Sequence, residues 1–253
     1  MAKLSVIIIT KNEDKMLDDC LKSVSWVDEI LVVDSGSTDR TLEIAKRHKA
    51  KIVDSSKGKS FSEWRNIGFK KATSDWIVYI DADERMSKDL KDEIKKMVEK
   101  ENPPCVAYAI PRENIIFGKK FRHGGFWPDY VKRLFKKDGF HGWSGKLHEE
   151  PKFNGELGHL DNPLTHEKHE TLSEMMDKTN VWSAVEAELM FSANHPQMNV
   201  ARFISAMARE FWYRMIREKA FLDGGEGVIM ALYQVFSRFV SYAKLWEMQE
   251  IRK

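Results

Sequence analysis

Cysteine is nearly absent: the 253 residues hold two, Cys20 and Cys105. Two thiols so far apart build neither a disulfide framework nor a cysteine-ligated metal site, and they suit a reducing cytoplasm. Long apolar runs are missing as well. The longest stretch free of Asp, Glu, Lys and Arg is Leu189 to Ala201, 13 residues, and it contains Asn194, His195 and Pro196. A spanning helix needs about 20 predominantly apolar residues, so none is expected. Met1-Ala2-Lys3 leads straight into a strand-like run, so a secretory leader is not expected either. Charge of one sign is not in excess. The formal net charge is +2, which sets up no field selecting a polyanion, and nucleic acid is not an expected partner. Internal repeats and low-complexity segments are lacking. A core of ordinary size is affordable, since 42% of the residues are hydrophobic.

What is present alternates. "LSVIIIT" (4–10), "EILVVD" (29–34), "AKIVD" (50–54) and "DWIVYID" (75–81) are apolar runs of strand length. Helical patterns separate them. The first has Met16, Leu17, Cys20, Leu21 and Val24 on one face, with Thr10 and Glu13 at capping-box spacing. The second is "STDRTLEIAKRH", with Ser37 or Thr38 as its expected cap. The third is "SFSEWRNIGFKKA", with the pair Ser60 and Glu63. Strands apolar on both faces and separated by helices predict a mostly parallel α/β sheet covered on both sides. "DLKDEIKKMVEK" predicts a fourth helix, ended by Pro103-Pro104. Strands over 106–110, 115–117 and 131–135 then suggest a mixed or antiparallel addition. From Glu170 onward the pattern is helical. The domains expected are a catalytic unit over 1–170, divided near residue 100, and a helical extension over 171–253.

In an open α/β sheet, ligands bind beyond the carboxyl ends of the strands. Those ends read "TKNE" (10–13), "DSGSTD" (34–39) and "DADE" (81–84). Helix capping accounts for most of "STD". It does not account well for Asp34, the last residue of its strand. Asp81 and Asp83 are harder still to dismiss. In an extended chain residues i and i+2 point the same way, and two close carboxylates repel unless a cation or proton lies between them. Oxygen ligands suit Mg²⁺ or Mn²⁺, commonly shared with substrate phosphates. One glycine in "DSGSTD" is too few for a dinucleotide fingerprint, and no P-loop is present.

"SVIIITKNE", "ILVVDSGSTDRT", "SFSEWRNIGFKKA" and "WIVYIDADE", in this order and spacing, resemble the GT-A domain of family 2 inverting glycosyltransferases over about residues 3–170. "GGFWPDYVKRLFKK", "KLHEE" and "PLTHEKHETLSEMMDK" resemble the branch of that family that builds the lipopolysaccharide core. Trp64 departs from the pattern, standing where a polar residue would precede "RN". The resemblance implies a nucleotide sugar donor, usually UDP-linked, and transfer of a hexose such as glucose. Thr10, Asn12 and Glu13 would line the nucleotide pocket, and Asp34 would contact the base. Arg65 would approach the base or the diphosphate. Asp81 would reach ribose or metal, and Asp83 would hold the metal. An acid of the second half would act as base, and "LHE" assigns this to Glu149, with Glu150 as the alternative. The bland reading makes those two acids a solvated pair beside Pro151.

Three further readings concern acceptor and partners. His148, the other base candidate of "KLHEE", and Arg133 are candidates to touch acceptor or diphosphate, and His166 is a candidate metal ligand or diphosphate contact, although a lone histidine is as often structural. Residues 119–152 carry nine Lys or Arg against four Asp or Glu. This balance favours an acidic acceptor such as a phosphorylated, lipid-linked saccharide; a polyprenyl phosphate is the alternative. At 199–222, Ile204, Met207, Phe211, Met215 and Leu222 share one helix face, opposite Arg202, Arg209, Tyr213 and Arg217. Beyond the turn "LDGGEG", residues 228–248 form a helix apolar nearly all round, expected to pack on the protein, on a second copy, or on an anionic membrane. Two other functions fit the sequence less well. A nucleotidyltransferase would carry a Gly-rich basic loop after the first strand, where this chain has "TKNEDKM". A non-catalytic scaffold would have no need of Asp34, Asp81, Asp83 and Glu149.

Overall fold

The structure is a computed structural model and describes residues 2–58, 60–145, 149–169 and 171–251. The chain divides into two compact units, residues 1–112 with 129–166, and residues 113–128 with 167–253.

The first unit is built on a sheet. Strands β1 (Leu4–Thr10), β2 (Glu29–Asp34), β3 (Lys51–Asp54) and β4 (Trp76–Asp81) are parallel, in the order β3-β2-β1-β4. Helices α1 (Leu17–Ser23), α2 (Thr41–Arg47) and α3 (Phe61–Lys71) connect them. Alternate residues of each strand feed two cores. Val6, Ile8, Val78 and Ile80 pack with Leu17 and Leu21 of α1. Ile7, Leu31, Val33 and Ile77 pack on the opposite face, joined by Ile67 and Phe69 of α3. This two-sided burial explains the unbroken apolar runs, since both faces of each strand leave water.

Then follow β5 (Glu84–Met86), α4 (Lys88–Val98), β6 (Ala107–Ile116), β7 (Lys119–Lys120), β8 (Asp129–Lys136), β9 (Phe140–Ser144), β10 (Glu150–Phe153), β11 (Leu157–His159) and β12 (Leu164–His169). Strand β8 lies antiparallel between β4 and β6, so the parallel sheet acquires an antiparallel side. Strands β9 and β10 pair separately. Residues Leu164 to His166 of β12 run antiparallel to β5. The mixed addition was expected, but the break after Ile110 was not found. Pro111 to Asn114 continue one strand, with Glu113 and Asn114 buried.

Two of the expected helix starts also differ. Helix α1 begins at Leu17 with no side-chain cap, not at Thr10–Glu13. Helix α2 begins at Thr41, where the Asp39 carboxylate accepts from the Thr41 amide at 3.0 Å in place of Ser37 or Thr38. The Ser60 cap is as expected: its hydroxyl accepts from the Glu63 amide at 3.3 Å.

The second unit carries helices α5 (Leu172–Ser192), α6 (Val200–Phe211) and α7 (Gly224–Ile251), the helical extension expected from the sequence. One of its cores joins Ile116, Phe121 and Phe126 to Met175 of α5 and Met230 of α7. A second joins Ala187, Met198 and Leu245. Among the described residues no helix is long and apolar enough to cross a membrane.

Candidate active site

The strand register brings the polar strand ends of the first unit together. Thr10 lies opposite Asp34, Asp34 opposite Asp54, and Ile9 opposite Asp81. Asp34 is buried, and its carboxylate organises the loop that follows. It accepts from the amides of Gly36 and Ser37, both at 2.9 Å, and from the hydroxyls of Ser37 and Thr10. Gly36 has φ +103°, which fits glycine there. The loop after β1 is laced to the same region. The Asn12 amide donates to Ser37 Oγ at 2.9 Å, the Asn12 side-chain oxygen accepts from the Thr38 amide at 2.8 Å, and the Glu13 amide donates to Thr41 Oγ1 at 2.8 Å. Thr10, Asn12, Glu13 and Asp34 thus belong to one hydrogen-bonded pair of loops.

The acids after β4 do not lie on an extended chain. The strand ends at Asp81, and Ala82-Asp83 make a turn into β5. The Asp81 amide donates to Glu84 Oε2 at 3.0 Å, and Arg85 Nη1 donates to the Ala82 carbonyl at 2.7 Å. This bend sends the two carboxylates to different partners. Asp81 meets Arg133 of β8, each terminal nitrogen paired with one carboxylate oxygen, and Arg65 Nη2 lies 3.4 Å from Asp81 Oδ1. Arg133 also donates to the fully buried Glu84 at 3.1 Å, and Arg112 Nη1 lies 3.5 Å from Glu84. Desolvation opposes the charged form of Asp81, but Arg133 and Arg65 outweigh it and hold the carboxyl well below the usual range. Burial works against the Arg133 cation too, and Asp81 and Glu84 outweigh it, raising its pKa.

Arg65 is enclosed by its neighbours, although its buried Nε and Nη1 make no hydrogen bond among the described residues. It is buried on α3, under the rings of Tyr79 and Trp143, with its guanidinium carbon 5.6 and 4.7 Å from their centroids. Its carbonyl accepts from the Tyr79 hydroxyl at 3.2 Å. Its neighbour Asn66 clamps β9, accepting from the Trp143 amide at 2.8 Å and donating to the Trp143 carbonyl at 2.9 Å. Ser62 Oγ donates to the Gly145 carbonyl at 2.6 Å. One face of α3 therefore fixes the strand that leads toward Glu149. For Arg65, burial and the nearby Arg133 lower the pKa against the pull of Asp81 and Glu149. Trp64, the departure noted in the sequence, rests on Gly58, where a Cβ would approach its ring to 2.5 Å.

Glu149 Oε1 lies 3.4 Å from Arg65 Nε, and its side chain is mostly buried. Glu150 is exposed and pairs with Lys132 Nζ at 2.9 Å. The two acids are therefore not a solvated pair: one is turned inward to the arginine and one outward. With Tyr130, Lys132, Arg133 and Trp143 they line an open pocket of about 250 Å³. His148 lies outside the described residues.

Asp83 faces His166 of β12, Oδ2 to Nε2 at 3.4 Å, with Asp83 partly exposed and His166 buried. Among the described residues no group of three or more His, Cys, Asp or Glu side chains gathers to hold a metal. A divalent ion shared with substrate phosphates does not need one. One or two protein ligands suffice, with phosphate and water oxygens completing the shell. Asp83 and His166 fit such a partial set. Asp81, occupied by two arginines, is the poorer ligand in this state.

A sequence profile described as glycosyl transferase family 2 matches residues 5–155. The chain belongs to glycosyl transferase family 2. It is a glycosyltransferase, with the α/β architecture expected of a GT-A domain followed by helices. A protein named "Uncharacterized glycosyltransferase" from Rickettsia bellii is 29% identical over 266 aligned positions, covering 97% of this chain and 87% of that protein. Glycosyltransferase SunS of Bacillus phage SPbeta is 37% identical over 150 positions, covering 57% of this chain and 33% of that protein. The crystal structure of S. aureus TarS 1-349 in complex with UDP-GlcNAc has a TM-score of 0.48 and 17% identity, covering 97% of this chain and 88% of that one.

Residues of the enzyme's site that the sequence does not single out include Glu84, Asn66, Tyr79, Arg112, Tyr130, Lys132 and Trp143. Glu84 carries a signal as the third acid of "DADE", and Asn66 as part of "RN".

Proposed function

We propose that the enzyme is an inverting hexosyltransferase that takes a sugar, glucose by resemblance, from a UDP-linked donor. Its acceptor is read as a saccharide of a cell-envelope glycolipid such as the lipopolysaccharide core. The observation that carries this reading is Arg65, which lies 3.4 Å from Asp81 at the end of β4 and 3.4 Å from Glu149. A single buried cation thus ties the donor end of the sheet to the candidate base.

In this reading the loops of Thr10, Asn12, Glu13 and Asp34 form the nucleotide pocket. Glu149 accepts the proton of the acceptor hydroxyl as that oxygen bonds to the anomeric carbon and the bond to the diphosphate breaks on the opposite face. Arg65 and Arg133 offer guanidinium groups at the strand end, where the leaving group gathers negative charge. Asp83 and His166 would hold a Mg²⁺ or Mn²⁺, which when bound neutralises the departing diphosphate. Lys132 and Tyr130, beside Glu149, suit an acceptor with an acidic group, in line with the basic composition of 119–152. A lipid-linked acceptor brings the enzyme to a membrane, most simply the inner face of the plasma membrane.

The test is to screen UDP- and GDP-sugars for thermal stabilisation that depends on Mn²⁺, then to assay transfer from the best donor to envelope glycolipid. A UDP-hexose that stabilises the protein and is transferred with inversion supports the reading. Retention of configuration, or selection of a GDP-sugar, overturns it.

A further inference from the structure

Of the twenty large apolar side chains that remain exposed among the described residues, eighteen belong to positions 172–251 and two to the first unit. A uniform scatter would be ordinary, but concentration in one unit marks an interaction surface. On α6 and just beyond it, Ile204 is 64% exposed, Phe211 41% and Trp212 54%; on α7, Phe239 is 46% exposed. Phe203, Ile204, Met207, Phe211, Val235 and Phe239 line an open groove between these helices with almost no polar lining. The α6–α7 pair is itself well anchored. Asn199 caps α6 by accepting from the Arg202 amide at 3.0 Å, and Arg238 of α7 pairs with Glu186 of α5 at 2.8 Å. The apolar side chains stay uncovered on helices that are otherwise satisfied.

Charge chooses between occupants. Residues 199–222 carry five Lys or Arg and two Glu, and Arg202, Arg209 and Arg217 are exposed. A second copy seated on the apolar face would leave these arginines, on the opposite helix face, without a role. An anionic bilayer complements them, with aromatic rings in the interface and arginines reaching phosphates.

We propose that the α6–α7 face is a membrane-docking surface that inserts Ile204, Phe211, Trp212 and Phe239 into the interface of an anionic bilayer. It goes beyond the proposed reaction and stands on a different unit, so each can fail alone.

The experiment is co-flotation of the full chain with vesicles of phosphatidylcholine alone or mixed with phosphatidylglycerol. Two variants accompany the wild type. Ile204→Glu with Phe211→Glu places charge on exposed positions, and circular dichroism verifies that it folds. Arg202→Gln, Arg209→Gln and Arg217→Gln together remove three of the five basic residues. Wild type should float with the anionic vesicles at low salt. High salt and the arginine variant should lower the bound fraction several-fold, and the glutamate variant should abolish it. Equal flotation on neutral vesicles, or flotation that survives the glutamate variant, overturns the proposal. So does absence of flotation with a doubled mass in light scattering that the glutamate variant returns to monomer, which identifies a second copy as the occupant. Calorimetry of UDP on the same proteins reads the donor site separately.

Discussion

Arg133 meets the Asp81 carboxylate end-on, one terminal nitrogen to each oxygen, and reaches the buried Glu84 with the same guanidinium. Removing one partner of a buried ion pair costs about 3–5 kcal/mol when nothing else compensates, whereas here Arg65 stays beside Asp81 and Arg112 beside Glu84. Arg133→Gln should therefore lower stability by about the low end of that range, a fall in Tm of roughly 6–12 °C for a domain of this size. Glu84→Gln should cost less, since Arg133 keeps Asp81. Chemical denaturation followed by tryptophan fluorescence checks both. An Arg133→Gln protein as stable as wild type would show that Asp81 and Glu84 are neutralised some other way.

Glu149 is turned toward Arg65 while its neighbour Glu150 is exposed, so the two acids can be separated by substitution. A positioned base commonly contributes about 10²–10⁴-fold to the chemical step. Glu149→Gln should lower kcat within that range and leave donor affinity unchanged, because the amide keeps the shape beside Arg65. Glu150→Gln should have little effect on kcat. Transfer assays with calorimetry of the donor measure the two quantities, and the opposite ranking would move the base to Glu150.

Cys20 is fully buried and Cys105 is not. Burial pushes the Cys20 thiol pKa strongly up, so the reactive thiolate is scarce. Titration with a disulfide reagent should consume one thiol per native chain, at Cys105, and two in denaturant. Rapid loss of both in the native state would place Cys20 outside the core.

The four parallel strands and the helix capped by Ser60 were legible because local signals and tertiary packing agree there. Local signals failed where a distant group offered a stronger partner. The amides of Asn12 and Glu13 go to Ser37 and Thr41, and Asn12 sits at φ +58°, so Thr10 and Glu13 never form a cap. The extended reading of Asp81 to Asp83 failed for a similar reason. Glu84 takes the Asp81 amide and bends the chain, an interaction that alternation cannot reveal. Arg65, by resemblance, and Arg133, as a candidate acceptor or diphosphate contact, are both expected near the site, but their meeting on Asp81 depends on β8 lying antiparallel to β4. No spacing within the sequence encodes that pairing.

The turn after β4 separates two acids that the sequence treats alike, and this yields a test that distinguishes them. Asp83 faces His166 at 3.4 Å, whereas Asp81, equally exposed, is tied to Arg133 and Arg65. If Asp83 and His166 hold the divalent ion, Asp83→Asn should weaken Mn²⁺-dependent binding of UDP while leaving the unfolding midpoint near wild type. His166→Ala should act in the same direction, by roughly 10–100-fold, as losses around a metal commonly do. Asp81→Asn should behave differently. It strips a charge from between two buried arginines, so it should lower stability even without metal or nucleotide. Titrating Mn²⁺ against each variant, with and without UDP, by the loss of the free-ion electron paramagnetic resonance signal reads binding independently of turnover. Unchanged Mn²⁺ affinity in Asp83→Asn together with a lost signal change in Asp81→Asn would reverse the assignment. The arginines would then have to release Asp81 when the donor binds.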